Sequence, residues 1–345
     1  MKVLMSPLIA VSVLNQADLI KKLLVKKGFE VEYKGAISTK DARDPNVHGL
    51  LWFTLCAFPY IGNIATPYFN TDKPKAIYVT IEGVPNKSLI LCSPVPKYRL
   101  IANSYFTKEM LEKVGLNVVD VVHHGIDWNH CQKLREESIG IRKKWDSEYG
   151  DRVKLLYVGR NDPRKGLDHL AKAMHIVNEK NEDRCVLLMV CEGEVNEMKD
   201  LSNVITIAGF GGLKYDQVLA LIGACDYLIF PSMCEGFGLP VLEAMAMGKP
   251  SIHAWFPPLS EFSSKDFNFV FGYANDTLVN NANVQYWLFH EYYPEDLADM
   301  INFAIDIYLN SRMEYDEYCS KAVEHAKKFD YKRVYRKLLH HLKIS

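Results

Sequence analysis

The sequence lacks an excess of charge of either sign. Its 345 residues include 41 lysines and arginines and 42 aspartates and glutamates, so the formal net charge is −1. A protein with so little net charge has no overall positive field that would attract nucleic acid. We therefore predict no nucleic-acid partner, and we expect any anionic ligand to be bound by a local group of cations.

Closely spaced cysteines are also missing. The eight cysteines are scattered and include no CxxC pair, which is typical of reduced thiols rather than of disulfides or a zinc site. His123 and His124 are adjacent, but nothing near them has the spacing of metal ligands. Asp127 and Asp162 form no DxD pattern, and we predict that no metal is required.

Long hydrophobic runs are absent too. The richest apolar stretch, residues 50–69, is interrupted by Pro59, Gly62 and Pro67 and should not span a bilayer. The first residues resemble a strand rather than a cleaved signal peptide, so we predict a cytoplasmic location. Six aromatic residues of the apolar stretch favour core strands, with an acceptor groove or peripheral membrane contact as the alternative. They are Trp52, Phe53, Phe58, Tyr60, Tyr68 and Phe69.

What the chain does contain is an alternation of short apolar runs with amphipathic segments of helix length. The first series has predicted strands at 2–5, 30–33, 50–55, 76–81, 99–102 and 117–122, and helices at 18–27 and 108–114. The second has strands at 153–158, 185–190, 204–208, 227–230 and 250–254, and helices at 167–181, 214–222 and 240–247. This alternation predicts parallel βα units in both series.

The length of the chain suits two domains, each with its own core. A charged segment poor in turn residues, 128–151, separates the two series, and we place the domain change there. We predict an α/β protein of two doubly wound domains that face each other across a cleft, over residues 1–135 and 150–329.

Two cations follow the predicted strand 153–158. Arg160 comes directly after it, and Lys165 lies five residues further on, before the next helix. The carboxyl edge of a parallel sheet is where α/β proteins bind ligands. A planar guanidinium and a compact ammonium suit two linked phosphates, although basic residues of a surface turn give the same pattern.

A glycine-containing loop leads into the helix predicted at 240–247. Gly236 and Gly238 allow backbone N–H groups to approach an anion at the helix N-terminus, and Pro240 suits the first turn. Glu235 and Glu243 flank this site. A carboxylate beside a bound phosphate is repelled unless it accepts hydrogen bonds from sugar or ribose hydroxyls. Stabilisation by the helix dipole is the alternative for Glu243 alone.

These residues resemble a known family. Residues 231–250 read PSMCEGFGLPVLEAMAMGKP, which closely resembles the EX7E motif of retaining GT-B glycosyltransferases, particularly glycosyltransferase family 4. Residues 157–166 resemble the diphosphate-binding segment of the same family. Weaker similarities lie at 102–108, at 124–127, where His124 replaces the usual asparagine, and at 259–262.

The resemblance implies a GT-B fold and a retaining, metal-independent hexosyltransferase without a cofactor. The donor would be a nucleotide-diphosphate sugar such as a UDP- or GDP-sugar, and the acceptor a hydroxyl of a carbohydrate, a protein or a lipid-linked molecule. It also implies that the helix at 330–345 crosses back to the N-terminal domain.

The same resemblance implies roles for individual residues. Arg160 and Lys165 would hold the diphosphate, Glu243 the ribose, and Glu235 the transferred sugar. The loop around Phe210 would hold the base. The backbone of the donor pocket would come from Gly236, Phe237, Gly238 and Leu239.

The N-terminal half departs from the family pattern in two places. Residues 6–10 contain no glycine where many members have a glycine-rich loop, and Glu82 follows the strand 76–81 where members often have a histidine. We predict that Glu82 contacts the donor sugar, with a solvated loop carboxylate as the alternative. These departures suggest one other function, a non-catalytic nucleotide-sugar-binding protein. Among enzymes, the alternative is a GT-B-like sugar-nucleotide epimerase or hydrolase, which would need no acceptor.

Overall fold

The computed structural model describes residues 1–7, 10–55, 71–91, 98–193 and 195–345, and only the backbone of residues 55, 90 and 91. Six parallel strands form the N-terminal sheet in the order β2-β1-β3-β4-β6-β7. They are β1 (Lys2–Pro7), β2 (Glu30–Tyr33), β3 (Val47–Leu55), β4 (Lys75–Thr80), β6 (Arg99–Ala102) and β7 (Asn117–Val121). The helices of this half are Val11–Lys26, Thr39–Arg43, Lys87–Leu91 and Tyr105–Glu112.

The second sheet is also parallel, in the order β10-β9-β8-β11-β12-β13. Its strands are β8 (Val153–Gly159), β9 (Cys185–Cys191), β10 (Val204–Gly209), β11 (Tyr227–Phe230), β12 (Ser251–Ala254) and β13 (Phe269–Phe271). Its helices are Leu167–Asn181, Tyr215–Ala224, Leu239–Ala246, Pro294–Asn310 and Arg312–Ala326. The predicted fold of two doubly wound α/β domains is confirmed.

Apolar sequence explains the central strands of the C-terminal sheet. Every residue of β9 and β11 is buried, because helices cover both faces of a parallel sheet. The strand order reverses between β8 and β11, and this is the point at which open α/β sheets bind ligands. The two predicted motifs follow these two strands, so the fold brings them together.

The charged segment at 128–151 forms one helix, Trp128–Tyr149, which ends at Gly150 with φ of 62°. Cys131, Leu134 and Trp145 of this helix belong to the core of the C-terminal domain. The chain therefore enters that domain at the start of the helix. The predicted limits of 1–135 and 150–329 stay predictions.

The end of the chain packs against the N-terminal sheet through the helices Tyr331–Val334 and Arg336–His341. Tyr335 and Leu339 lie in the same core cluster as Met5. The two connections between the domains run side by side, since the N–H of Tyr331 donates to the carbonyl of Ile126 at 2.9 Å.

A third, small sheet connects the domains. Its strands are β14 (Asn275–Asn281), β15 (Gln285–Glu291) and β5 (Gly83–Pro85), all antiparallel. The hairpin of β14 and β15 comes from the C-terminal domain, and β5 follows β4 of the N-terminal domain. Gly83 lies opposite Trp287, where a Cβ would come within 2.0 Å of the carbonyl oxygen of Tyr286. The close pairing of β15 with β5 therefore requires glycine at position 83.

Candidate active site between the two domains

Arg160 and Lys165 lie at the carboxyl end of β8, but their surroundings differ. Arg160 is exposed, and its guanidinium carbon lies 5.9 Å from the centre of the Phe210 ring. Lys165 ends the short 3₁₀ helix Pro163–Lys165 and forms an ion pair with Glu235. The structure thus brings Arg160 beside the loop predicted for the base and Lys165 beside the carboxylate predicted for the sugar.

Glu235 is buried, with 7% of its surface exposed, and it is surrounded by donors. Its Oε1 accepts a hydrogen bond from Ser232 Oγ at 2.6 Å, pairs with Lys165 and lies 4.0 Å from Arg164 Nη1. Burial alone would raise the pKa of Glu235, but the two cations outweigh it and hold that pKa below its usual value. The carboxylate is ionised and its position is fixed.

Glu243 lies one turn into the helix Leu239–Ala246 and is also 7% exposed. Its Oε1 accepts a hydrogen bond from Tyr215 Oη at 2.7 Å. Burial raises the pKa of Glu243 to about 7, and the hydrogen bond from Tyr215 opposes this only in part. Its carboxyl group therefore gains or loses a proton near neutral pH.

The glycine loop touches the N-terminal domain. The carbonyl oxygen of Gly236 accepts a hydrogen bond from Asn103 Nδ2 at 3.0 Å, and a Cβ at position 236 would lie 2.7 Å from Thr80 Oγ1. Gly238 has φ of 91° and precedes the helix that starts at Leu239. The ring of Phe237 stacks on Phe262 at 4.8 Å. This loop fits closely between the two domains.

Glu82 is half-buried at the end of β4, where its side chain is 22% exposed. Its Oε1 lies 3.1 Å from Arg164 Nη1, and its Oε2 accepts a hydrogen bond from Trp287 Nε1 at 3.2 Å. Burial raises the pKa of Glu82, and Arg164 opposes that rise. Glu82 does lie between the domains, but the sequence does not predict its two partners, Arg164 and Trp287. Both are far from Glu82 in sequence, and no local pattern indicates their contact.

His123 and His124 also lie at the interface, with different partners. His124 is buried, and its Nδ1 lies 2.9 Å from Tyr78 Oη. Burial lowers the pKa of His124 to about 3, and the charge of the neighbouring His123 contributes to the lowering. His123 Nε2 lies 2.9 Å from Glu261 Oε2. Glu261 also accepts hydrogen bonds from the first N–H groups of the helix Tyr105–Glu112. The three weaker sequence similarities thus meet at one interface.

Comparison with known proteins identifies the family. Residues 141–326, more than half of the chain, match the glycosyl transferases group 1 family. The chain belongs to this family. An uncharacterized glycosyltransferase of Sulfolobus islandicus rod-shaped virus 1 is 27% identical over 299 residues, which cover 86% of this chain and 88% of the viral protein.

Solved structures share the fold of this group 1 glycosyl transferase. HepE of Anabaena, in complex with UDP and glucose, has a TM-score of 0.69 at 16% identity over 99% of both chains. A glycosyltransferase of Rickettsia africae has a TM-score of 0.70 at 17% identity over 99% of this chain and 97% of its own. The protein therefore has the GT-B fold.

The described part of this group 1 glycosyl transferase contains no group of three or more His, Cys, Asp or Glu residues that could hold a metal ion. The absence of a required metal stays a prediction. Among the helices that the structure describes, none is long and apolar enough to cross a membrane. Four of the aromatic residues considered for acceptor or membrane contact, Phe58, Tyr60, Tyr68 and Phe69, lie outside the described residues.

Proposed function

We propose that this protein transfers a sugar from a nucleotide-diphosphate sugar to an acceptor hydroxyl, with retention of the anomeric configuration and without a required metal. The observation that carries the proposal is the meeting of Arg160, Lys165 and the Glu235 loop at the point where the strand order reverses. Two cations, an ionised carboxylate and a helix N-terminus thus follow two neighbouring strands, which supports a donor site at this point.

The diphosphate is the part of the donor that the cations would hold. Arg160 is exposed, and Lys165 is half-buried beside the loop that leads to the helix starting at Leu239. As the bond to the anomeric carbon breaks, negative charge develops on the diphosphate, and preorganised cations and backbone N–H groups stabilise that charge. This supplies the electrostatic part of catalysis without a metal.

Glu235 and Glu243 would accept hydrogen bonds from the sugar and the ribose respectively. Glu235 is ionised and fixed by Ser232 and Lys165, so it suits hydroxyl donors of the transferred sugar. The backbone from Gly236 to Leu239 would complete the donor pocket. The ring of Phe210 beside Arg160 would contact the base. The complex of HepE with UDP and glucose supports a UDP-sugar as the first donor to test, followed by GDP-sugars.

In the proposed mechanism, the acceptor hydroxyl attacks from the face of the leaving group, and a donor phosphate oxygen takes its proton. Glu82 would contribute from the N-terminal side of the cleft.

We propose a cytoplasmic location and a carbohydrate, protein or lipid-linked acceptor. The serotype-specific mannosyltransferase WbdA of Escherichia coli is 26% identical over 115 residues, which cover 31% of this chain and 14% of that protein, and this supports a hexose as the transferred sugar.

A non-catalytic nucleotide-sugar-binding protein is the second candidate. One observation favours it, because both carboxylate oxygens of Glu82 already have protein partners. Such a protein would bind the donor and leave it intact.

A thermal-unfolding screen of UDP- and GDP-sugars tests the proposal. A ligand present at 100 times its Kd should stabilise the protein by about 2.7 kcal/mol. Arg160→Ala should abolish most of this shift, whereas Lys180→Ala, at the far end of the helix Leu167–Asn181, should leave it unchanged. The ligand that stabilises the protein is then assayed for transfer over an acceptor panel, with and without EDTA.

The outcomes separate the candidates. Transfer that persists in EDTA with an α-linked product from an α-linked donor supports the proposal. Stabilisation without turnover supports the binding protein, and stabilisation by no nucleotide sugar contradicts both.

A further inference from the structure

Arg164 holds together the two segments that carry the predicted donor site. Its carbonyl oxygen accepts hydrogen bonds from the N–H of Met233 at 2.9 Å and from Ser232 Oγ at 3.1 Å. Its guanidinium lies 3.4 Å from the carbonyl oxygen of Cys234 and 4.0 Å from Glu235 Oε1. The turn that contains Lys165 and the segment that contains Glu235 therefore form one bonded unit.

Glu82 is fixed by contacts with both segments of the C-terminal domain that approach it. Its carbonyl oxygen accepts hydrogen bonds from Leu288 N–H at 3.1 Å and from Cys234 Sγ at 2.9 Å. Its carboxylate pairs with Arg164 and accepts a hydrogen bond from Trp287. The hairpin β14–β15 thus holds Glu82 in place while β15 is paired with β5.

We propose that Arg164 is a positioning residue, which pairs with Glu82 of the N-terminal domain and thereby sets the orientation of Glu235. Glu82 then acts on the donor sugar through Arg164 rather than by contact with the sugar. This inference rests on the proposed function, since it assigns a purpose to the Glu235 carboxylate. Arg160 and Lys165 remain the cations for the diphosphate.

The geometry supports this role over that of a third phosphate ligand. The side chain of Arg164 is only 16% exposed, and the same nitrogen, Nη1, approaches Glu82, Cys234 and Glu235. Besides Glu82 and Glu235, Asp162 Oδ1 lies 3.7 Å from Arg164 Nε. Protein carboxylates therefore neutralise both Arg164 and Lys165. Arg160 is the exposed cation of the three.

The test compares Arg164→Met, Glu82→Gln and the double variant, with the donor and acceptor found by the screen above. Each single variant should lower kcat about tenfold and leave the affinity for UDP within about twofold, and the double variant should be no slower than Arg164→Met. Arg160→Ala is the matched control and should weaken UDP binding.

Melting temperature separates positioning from a structural role. Arg164→Met leaves the half-buried Glu82 unpaired and should lower the melting temperature, whereas the double variant removes both charges and should recover it. We expect kcat to stay low after that recovery. Trp287→Phe keeps the ring but removes the N–H donor to Glu82, and should lower kcat about threefold with UDP affinity unchanged.

Two results would overturn the inference and leave the proposed function standing, provided that the wild-type protein transfers sugar. One is recovery of kcat together with melting temperature in the double variant. The other is a loss of UDP affinity in Arg164→Met as large as that in Arg160→Ala, which would make Arg164 a phosphate ligand. A wild-type protein that binds neither UDP, GDP nor their sugars would overturn the proposed function, and the inference with it.

Discussion

Glu235 and Glu243 lie eight positions apart and are equally buried, yet their charge states differ. Lys165 and Arg164 lie beside Glu235 and hold its pKa below the usual value. The hydrogen-bonding partner of Glu243 is the neutral phenol of Tyr215, and burial raises its pKa to about 7. Equal burial therefore does not give the two carboxylates the same charge. The cations that follow β8 keep Glu235 ionised, and Glu243 has no such partner among its pKa-determining neighbours.

The difference assigns each glutamate a distinct behaviour in the proposed reaction. Glu235 remains an anion throughout the pH range of ordinary assays. Glu243 must lose its proton to accept hydrogen bonds from two ribose hydroxyls, so its binding of the ribose should strengthen as pH rises through 7.

The largest expected effect is that of Glu235→Gln, which removes the fixed charge and keeps the size of the side chain. Transfer should slow by about 10²- to 10³-fold, or about 2.7–4 kcal/mol, because the charge that strengthens the contact with the sugar in the transition state is lost. UDP affinity should change little. Steady-state kinetics with a UDP-binding assay check this, and weaker UDP binding at unchanged kcat would contradict the assignment.

Removal of either cation should weaken donor binding by about 2–3 kcal/mol. Lys165→Ala also removes a cation beside Glu235, so the pKa of Glu235 should rise towards that of Glu243. Arg160→Ala should not have this effect. We therefore expect the acid limb of the pH–rate profile to move to higher pH in Lys165→Ala only. Wild-type kinetics in both variants would refute the diphosphate assignment, and equal profiles would refute the contrast between the glutamates.

Glu243 should make stability depend on pH. Its pKa is raised in the folded protein to about 7 from 4.5, so the folded state binds more protons between these values. The stabilisation is full below about pH 4.5 and is lost as pH rises through 7. Relative to Glu243→Gln, the wild-type protein should lose about 2–3 kcal/mol of unfolding free energy between pH 5 and pH 8. Urea unfolding at both pH values measures this, and parallel curves for the two proteins would contradict it.

Tyr215→Phe should have the smallest effect. It removes the hydrogen bond that partly offsets burial of Glu243, so the pKa of Glu243 should rise further, and stability near pH 8 should fall by about 1 kcal/mol. The midpoint of the pH dependence of UDP affinity should move in the same direction. An unchanged midpoint would show that the phenol does not affect the carboxyl group.

Much of the fold could be predicted because the strands are short apolar runs between turns. The strand predicted at 227–230 is β11, with the same limits. The hairpin was not predicted, since β14 is polar and mostly exposed and has no buried alternation. Its pairing partner, β5, lies about 200 residues away and consists of Gly83, Val84 and Pro85. Such pairing depends on how the domains meet rather than on local sequence.

In the candidate site, too, the residues of local motifs could be predicted and the contacts between domains could not. The motif residues Arg160, Lys165 and Glu235 converge because they follow neighbouring strands at the reversal of strand order. The predicted contact of Glu82 with the donor sugar stays untested, and the positioning role proposed for Arg164 would replace it. The observed partners of Glu82, Arg164 and Trp287, belong to the other domain and could not be inferred without knowing how the two domains meet.

The return of the chain to the N-terminal sheet has a consequence for biosynthesis. The C-terminal domain is an insertion between Ile126 and Asp330, and Tyr335 and Leu339 complete the core around β1. At a translation rate of about 5–20 residues per second, the ribosome needs roughly 10–40 s for the intervening segment. During that time the apolar surface of the N-terminal sheet that Tyr335 and Leu339 cover stays exposed. The C-terminal domain can therefore fold completely before the N-terminal domain does.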